Sequence, residues 1–139
     1  MCISKLFMTS STVFTCLDCV IEPRNNLTRG LNLCEETKLM SKNRMFELYM
    51  QEDGNLVLYD ISQNSKAVWA TGTNNKEISP EGLQFKEDGD LVMLNPKGNS
   101  LIWNIPKQST ADTLVLENNG KLVLYAYSGK VLWMTNGGK

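Results

Sequence analysis

The side chains whose types and spacing could do chemistry lie in residues 51–59, which read QEDGNLVLY. Those of interest stand two residues apart: Gln51, Asp53, Asn55, Val57 and Tyr59. A carboxylate only accepts hydrogen bonds, whereas an amide and a phenol both donate and accept. Spacing by two favours one shared face of a hairpin. The set could hydrogen-bond a polar ligand above an apolar patch, but an Asp-Gly pair is also typical of a plain hairpin turn.

The same stretch occurs three times along the chain, with decreasing fidelity. KEDGDLVML fills residues 86–94, and ENNGKLVLY fills residues 117–125. A tryptophan follows each copy at an equivalent point, and these are all three tryptophans of the chain: Trp69, Trp103 and Trp133. A period of about 30–35 residues indicates a small supersecondary unit that packs against its own copies.

Each copy is predicted to be antiparallel β-structure. Phe46, Leu48 and Met50 alternate with other residues before the first turn. The Asp-Gly or Asn-Gly pair of each copy predicts a type I′ turn with positive φ at both central residues. Strands LVLY, LVML and LVLY follow, and each copy closes with a short strand that carries its tryptophan. Three such units are expected around a shared axis, with the tryptophans filling the centre, because one unit cannot bury its own apolar face.

Composition excludes several function classes. The chain has no histidine, which removes Ser-His-Asp and Cys-His catalysis and histidine-based metal sites. A net charge of −1 without a basic block argues against nucleic-acid binding, and no apolar run is long enough for a transmembrane helix. The Asp-Gly-Asn and Asp-Gly-Asp pieces lack the later ligands of a calcium loop. We therefore expect no enzyme, no cofactor, no metal site and no insertion into a membrane.

Residues 1–24 differ from the rest and are interpreted as a weak signal peptide or an N-terminal extension, ahead of one domain with three internal repeats over residues 25–139. All four cysteines lie near the start of the chain: Cys2, Cys16, Cys19 and Cys34. They cannot cross-link the repeats to one another. The pair Cys16 and Cys19 has neither a second pair for zinc nor a βαβ context for redox chemistry. Asn26 opens a glycosylation sequon, which is meaningful only in a secreted chain.

The stretch QEDGNLVLY resembles the Q-x-D-x-N-x-V-x-Y signature of the bulb-type, or monocot mannose-binding, lectins at every signature position. The resemblance extends from about Asn25 to the C-terminus. It includes the lead-in NNLTRGLNLCEETKLMSKNRMFEL and the stretch VWATGTN after the first copy. It implies an all-β fold, the β-prism II, with three four-stranded antiparallel sheets about a pseudo-threefold axis. The repeat pattern agrees with this fold independently of the resemblance.

The family binds mannose, and the resemblance implies a role for each signature residue. Asp53 and Asn55 would hydrogen-bond the axial 2-hydroxyl of the sugar. Gln51 would contact the 3-hydroxyl and Tyr59 the 4-hydroxyl. Val57 would pack on the ring carbons. A sugar hydroxyl bound to the Asp53 carboxylate would make the strongest of these hydrogen bonds, because the acceptor carries charge.

The second and third copies depart from the signature. In the second copy the signature positions hold Lys86, Asp88, Asp90, Val92 and Leu94. In the third copy they hold Glu117, Asn119, Lys121, Val123 and Tyr125. Leu94 cannot hydrogen-bond, and Lys121 adds length and charge where a short amide is needed. We expect both of these sites to be lost, so that the two copies serve as hairpin and core.

The leading hypothesis is a non-catalytic module that binds mannose-containing glycans or glycoproteins through one intact site in the first repeat. The alternative is a protein-interaction or structural β-prism module that has lost sugar binding. A single exposed monosaccharide site binds on the order of millimolar, at about −4 kcal/mol. Useful affinity would therefore need several sites on one particle, and a homodimer is one way to provide them.

The sequence leaves the location of the protein open. Many members of the family carry a disulfide that begins at the residue after the signature aspartate, but here that residue is Gly54. The repeats thus have no cysteine that requires an oxidising compartment. Cytosolic members of the family exist. A secreted protein is favoured, and a cytoplasmic protein is the alternative.

Overall fold

The computed structural model describes residues 18–75 and 79–135. Within these ranges the chain forms twelve β-strands, one short 3₁₀-helix (Ile61–Gln63) and no α-helix. The strands are β1 (Asn26–Thr28), β2 (Asn32–Cys34), β3 (Lys38–Met40), β4 (Phe46–Met50), β5 (Leu56–Asp60), β6 (Lys66–Ala70), β7 (Gly82–Phe85), β8 (Leu91–Leu94), β9 (Leu101–Ile105), β10 (Ala111–Leu116), β11 (Leu122–Ala126) and β12 (Val131–Met134). The predicted signal peptide or extension up to residue 17, with Cys2 and Cys16, lies outside the described residues.

The strands form three four-stranded antiparallel sheets, which confirms the predicted all-β architecture. Each repeat supplies three consecutive strands of one sheet: β4–β6 in the first, β7–β9 in the second and β10–β12 in the third. The fourth strand of every sheet comes from the N-terminal segment. β3 completes the first repeat, β2 the second and β1 the third.

The pairing of these N-terminal strands follows one pattern. In each, a leucine stands opposite a leucine of the repeat, and all of these leucines are at most 1% exposed. The pairs are Leu39 with Leu48, Leu33 with Leu83, and Leu27 with Leu114. Because side chains alternate between the two faces of a strand, this register turns one face of each sheet toward a single shared core.

The three tryptophans meet at a shared position, as predicted. Trp69, Trp103 and Trp133 come from β6, β9 and β12, and their ring centroids are 6.0, 6.1 and 6.4 Å apart. The rings meet edge to face, the arrangement that the ring quadrupole favours. They pack against the core but stay partly exposed, because each lies on the outermost strand of its sheet. The cluster therefore closes the core along one set of sheet edges.

The prediction of a type I′ turn at each Asx-Gly pair is wrong. Within these loops positive φ occurs at Gly54, Gly89 and Gly120 only, at +91°, +94° and +89°. In the first loop Gln51 N donates to Asn55 O at 2.9 Å, and Gly54 N donates to Gln51 O at 3.0 Å. This is a three-residue loop in which a type I turn precedes a left-handed residue. It needs only one positive φ, which glycine adopts without steric cost.

The segment just before β1 is tied to the second sheet. Cys19 and Cys34 form a disulfide, and Cys19 also makes an isolated bridge with Asn32 at the start of β2. Val20 is 3% exposed and belongs to the core. This disulfide was not predicted from the sequence. It closes a loop of 15 residues, which corresponds to about 3 kcal/mol of stabilisation in a chain-entropy model.

Candidate functional site

The first-repeat hairpin carries the predicted site residues on β4, β5 and the loop between them. Gln51 directly follows β4, and Asn55 directly precedes β5. Val57 and Tyr59 lie on β5 itself, where they pair with Tyr49 and Glu47 of β4. The alternation of β5 turns Leu56 and Leu58 into the core and these two residues to the opposite face.

Three of the predicted residues form a chain of hydrogen bonds along this face. The Tyr59 hydroxyl donates to Gln51 Oε1. Gln51 Nε2 in turn donates to Asp53 Oδ1 at 3.1 Å, with Oδ2 at 3.3 Å. Asp53 Oδ1 also accepts the backbone N–H of Asn55 at 2.9 Å. All the donor hydrogens point toward the carboxylate, so the chain has one direction and its members are fixed relative to one another.

Asn55 is held by the loop after β6, which was not predicted to be part of the site. Its Oδ1 accepts hydrogen bonds from Gly72 N at 2.9 Å, Thr73 N at 3.2 Å and Thr71 Oγ1 at 3.2 Å. The stretch VWATGTN, which entered only as part of the family resemblance, contains all three donors. The Thr-Gly-Thr sequence directly after β6 is the signal that could have predicted this contact, because it supplies a hydroxyl beside a flexible glycine.

Val57 contributes less surface than expected, since only 5% of the residue is exposed. It forms the floor between Asn55 and Tyr59, both of which are partly exposed. Asp53 is exposed and makes no ion pair with a described residue. The site is thus a shallow polar surface with one unpaired carboxylate, an amide on each side and a buried apolar floor.

The second copy presents a different set of groups. Asp88 Oδ1 accepts Asp90 N at 3.1 Å, which repeats the turn of the first copy. Its Oδ2, however, lies 3.1 Å from Lys107 Nζ. This hydrogen bond from Lys107 holds the pKa of Asp88 below its usual range. Leu94 replaces the phenol. The carboxylate of the second copy is therefore paired with Lys107, and its hairpin has no hydroxyl at the position of Tyr59.

The third copy keeps the phenol and changes its partner. The Tyr125 hydroxyl donates to Glu117 Oε2, and this bond raises the pKa of Tyr125. Asn119 Oδ1 accepts Lys121 N at 3.0 Å, as in the other two hairpins. A carboxylate therefore stands where the first copy has a neutral amide. A lysine stands where the first copy has Asn55.

Metal and membrane sites receive no support from the geometry. No cluster of three or more metal-ligating side chains occurs within residues 18–75 and 79–135. In the same part of the chain, no helix has the length and apolar character needed to cross a membrane.

Curated proteins with similar sequences are mannose-specific lectins. The chain is 33% identical to the mannose-specific lectin of Aloe arborescens over 97 residues, which cover 68% of this chain and 82% of that protein. It is 40% identical to the mannose-specific lectin of Narcissus pseudonarcissus over 57 residues. That match covers 41% of this chain and spans 49% of the Narcissus protein. No protein-family model matches the chain.

Solved structures with a similar fold include lectins that are more than 30% identical to this chain in sequence. The snowdrop (Galanthus nivalis) mannose-specific agglutinin, in complex with methyl-α-D-mannoside, has a TM-score of 0.60 at 33% identity. The match covers 81% of this chain and 95% of that one. A monomeric monocot mannose-binding lectin from Gastrodia elata has a TM-score of 0.68 at 31% identity, covering 81% and 96%. These neighbours are β-prism II bulb lectins, which confirms the predicted fold class.

Proposed function

The chain belongs to the bulb-type, monocot mannose-binding lectin family, and from that premise we propose that its first repeat binds mannose-containing glycans. Its lectin relatives and lectin-fold neighbours indicate a non-catalytic carbohydrate-binding protein. The observation that carries the proposal is the hydrogen-bonded chain from Tyr59 through Gln51 to Asp53, with Asn55 fixed beside it. These groups are held in place by the protein itself, so binding needs little further ordering of side chains.

Each group retains the capacity that a sugar requires. The Asp53 carboxylate has further acceptor sites beyond the bonds that it receives from the protein, and a hydroxyl that donates to it makes a charge-assisted bond. Gln51 Nε2 has a second hydrogen, and the Tyr59 oxygen can accept a hydrogen bond while its O–H donates to Gln51 Oε1. In the proposed pose Asp53 and Asn55 contact the 2-hydroxyl, Gln51 the 3-hydroxyl and Tyr59 the 4-hydroxyl, with the sugar ring above Val57.

We expect one site per chain. In the second copy Lys107 pairs with the acceptor carboxylate, and in the third copy Lys121 replaces the amide donor. A single shallow site of this kind binds a monosaccharide on the order of millimolar. Tighter binding to a multivalent glycoprotein would therefore require a homodimer or larger oligomer, which raises avidity without new contacts.

A titration with methyl α-mannoside, followed by two-dimensional amide NMR, tests the proposal. Wild-type protein should show saturable shifts around residues 51–59. Asp53→Asn keeps a side-chain oxygen for the turn, as Asn119 does in the third copy, but loses the charge, and it should weaken binding at least tenfold. The matched control is Asp88→Asn in the second copy, which should leave binding unchanged. Wild-type protein that shows no mannoside-dependent shifts would remove the proposal.

The second candidate is a protein-interaction or structural module. The specific observation in its favour is that two of the three copies have lost the signature, one of them with its carboxylate already in a salt bridge. Under this alternative Gln51→Ala and Asn55→Ala leave partner binding intact, and excess mannoside does not compete with the partner. Competition by mannoside would decide for the lectin.

A further inference from the structure

We infer that Asn26 carries an N-linked glycan, which stands on the outward face of the third sheet, formed by β1, β10, β11 and β12. The sequon Asn26-Leu27-Thr28 is the only Asn-x-Ser/Thr sequence in the chain, and the proposed mannose site does not use it. The group attached is an oligosaccharide, joined to Asn26 Nδ2 through N-acetylglucosamine. The inference does not depend on the proposed function, because it concerns a different sheet and a covalent bond.

The register of β1 places the residues of the sequon on opposite faces of the sheet. Leu27 pairs with Leu114, and both are fully buried in the core. Because side chains alternate along a strand, Asn26 and Thr28 point together to the outward face, where both are partly exposed. β1 is the outermost strand of its sheet and pairs only with β10. The asparagine and the hydroxyl of the sequon thus share one accessible face at a sheet edge.

Arg24 orients the side-chain amide of Asn26. Arg24 Nε donates to Asn26 O at 3.0 Å, and Arg24 Nη2 donates to Asn26 Oδ1 at 3.2 Å. A guanidinium has donors and no acceptor, so the side-chain atom that faces it must be the amide oxygen. Nδ2 is then the other branch of the amide, and it donates to no residue in the described part of the chain. The nitrogen that carries the sugar is therefore one that the fold does not use.

The covalent step takes its sugar from a polyprenol diphosphate that carries the oligosaccharide, which the secretory pathway supplies. Asn26 Nδ2 forms a bond to C1 of the reducing-end N-acetylglucosamine, while the bond from C1 to the diphosphate oxygen breaks. The lipid diphosphate leaves with the electron pair of that bond, and the amide releases one of its two protons. The product keeps one N–H and the carbonyl oxygen, so the hydrogen bonds from Arg24 can persist.

The disulfide between Cys19 and Cys34 independently favours the secretory pathway. Structural disulfides form and persist in oxidising compartments, and N-linked glycans are likewise found on secreted chains. The disulfide joins β2 to the segment just before β1, close in sequence to the sequon. One route through the secretory pathway thus accounts for both features of this short part of the chain.

The glycan lies away from the proposed mannose site. Counting from the paired leucines, Lys38 of β3 occupies in the first sheet the place that Asn26 occupies in the third. Lys38 is tied to Glu47 by a salt bridge of 2.9 Å. The glycan therefore stands beside the third repeat, whose signature is altered, and the hairpin face of the first repeat stays open.

A glycan at this position shields the outward side chains next to it. Asn26 pairs with Val115, which pairs with Val123 on the next strand, and neighbouring strands lie about 5 Å apart. Tyr125 lies on the same face of β11 as Val123 and pairs with Thr113. Because an N-linked glycan is bulky, it hinders the approach of reagents to this face. Tyr125 is therefore a suitable reporter of where the glycan stands.

The experiment expresses the full chain in a eukaryotic cell and measures the intact mass before and after treatment with peptide-N-glycosidase. Wild type should lose the mass of one glycan, and the peptide map should show Asn26 converted to aspartate. Thr28→Ser keeps the sequon and should keep the glycan. Thr28→Val has nearly the same shape but lacks the hydroxyl, so it should lose the glycan, as should Asn26→Gln. Wild-type protein without a glycan at Asn26, whether recovered from the medium or from the cells, overturns the inference, and so does a glycan that persists in Thr28→Val.

Hydroxyl-radical footprinting tests the placement of the glycan. Tyr125 and Tyr59 are a matched pair, because each lies on the second strand of its hairpin and donates to the residue after the first strand. Loss of the glycan in Asn26→Gln should speed the oxidation of Tyr125 and leave that of Tyr59 unchanged. An unchanged Tyr125, or an equal change at Tyr59, contradicts the placement. Titration of the same proteins with methyl α-mannoside separates the two proposals, since a glycosylated protein that binds no mannoside overturns the proposed function alone.

Discussion

The first and third repeats build nearly the same hairpin from different side chains. In both, an Asx side chain accepts the backbone N–H two residues on, at 2.9 and 3.0 Å. In both, a tyrosine on the second strand donates across to the residue that directly follows the first strand. The difference lies in charge: Gln51 is neutral and Glu117 is not, and the lysine Lys121 stands in the place of an amide.

The two hairpins therefore share a structural frame and differ in the side chains of the proposed site. The frame consists of backbone hydrogen bonds, one left-handed glycine and the Asx side chain, and it tolerates Asp or Asn. The proposed site consists of a carboxylate, a neutral amide and a fixed donor in a defined order. A hairpin can therefore survive the loss of binding without any change in its backbone.

The largest expected effect concerns the shared frame. Gly54→Ala and Gly120→Ala should each cost about 2–5 kcal/mol of unfolding free energy, from left-handed strain plus a clash. A Cβ at Gly54 would lie 2.5 Å from Ser79 Oγ, and one at Gly120 would lie 2.6 Å from the Phe46 ring. Gly98→Ala is the control, because it has φ +91° but nothing within 4 Å, so only about 1–2 kcal/mol is expected. Urea unfolding checks the order, and equal losses at all three positions would contradict the packing account.

The next effect converts the first repeat toward the third. Asn55→Lys should weaken methyl α-mannoside binding more than tenfold, or at least about 1.4 kcal/mol. It removes the donor and leaves Gly72 N and Thr73 N without their acceptor. Calorimetric titration measures the loss. Lys121→Asn alone is the matched control and should leave the affinity unchanged; a similar loss in the control would point to a site outside the first repeat.

The reverse conversion, of the third repeat toward the first, tests whether the signature residues are sufficient for mannoside binding. The triple variant Glu117→Gln, Asn119→Asp and Lys121→Asn restores all signature positions of the third repeat, since Val123 and Tyr125 are already present. The number of mannoside molecules bound per chain should rise from one to two, with the new site weaker by up to about tenfold, or 1.4 kcal/mol. A stoichiometry that stays at one would show that the side chains on the hairpin face are insufficient.

The smallest effect is a titration difference in the third repeat. The Glu117 carboxylate that accepts the Tyr125 proton raises the pKa of Tyr125 above its usual value of about 10. The stabilisation is therefore complete below about pH 10 and is lost as the pH rises through the pKa in the folded state. Tyrosinate absorbance should show one late-ionising tyrosine, which Glu117→Gln moves to lower pH. Tyr125→Phe should remove the late-ionising component from the titration. If that component persists in the variant, the raised pKa belongs to another tyrosine.

Much of this architecture could be predicted from the sequence, because the same strand and turn pattern occurs three times along the chain. Equivalent positions of Trp69, Trp103 and Trp133 required a common centre, and the alternation around Leu48 required a half-buried strand. Of the site residues, Gln51, Asp53 and Tyr59 are brought together by hydrogen bonds as the spacing suggested.

Other features depend on contacts that a local pattern does not contain. The turn type was predicted wrongly, because Asp-Gly fits both a two-residue and a three-residue loop, and only the hydrogen-bond register distinguishes them. The hydrogen bonds to Asn55 Oδ1 join the hairpin to residues 71–73, in the loop after β6. The Cys19–Cys34 disulfide depends on how the segment before β1 lies against β2, for which no periodicity exists.

The origin of the fourth strand in each sheet has a consequence for biosynthesis. On the ribosome, β3 meets its partner β4 within a few residues, but β1 must wait for β10. At about 5–20 residues per second, that wait lasts roughly 5–20 s, during which the apolar side of the nascent β1 has no partner. The first repeat can close while the rest is still being translated, whereas the third closes last and depends on both ends of the chain. Slowed translation of the third repeat should therefore expose the nascent chain to aggregation, although the repeat with the proposed sugar site is already assembled.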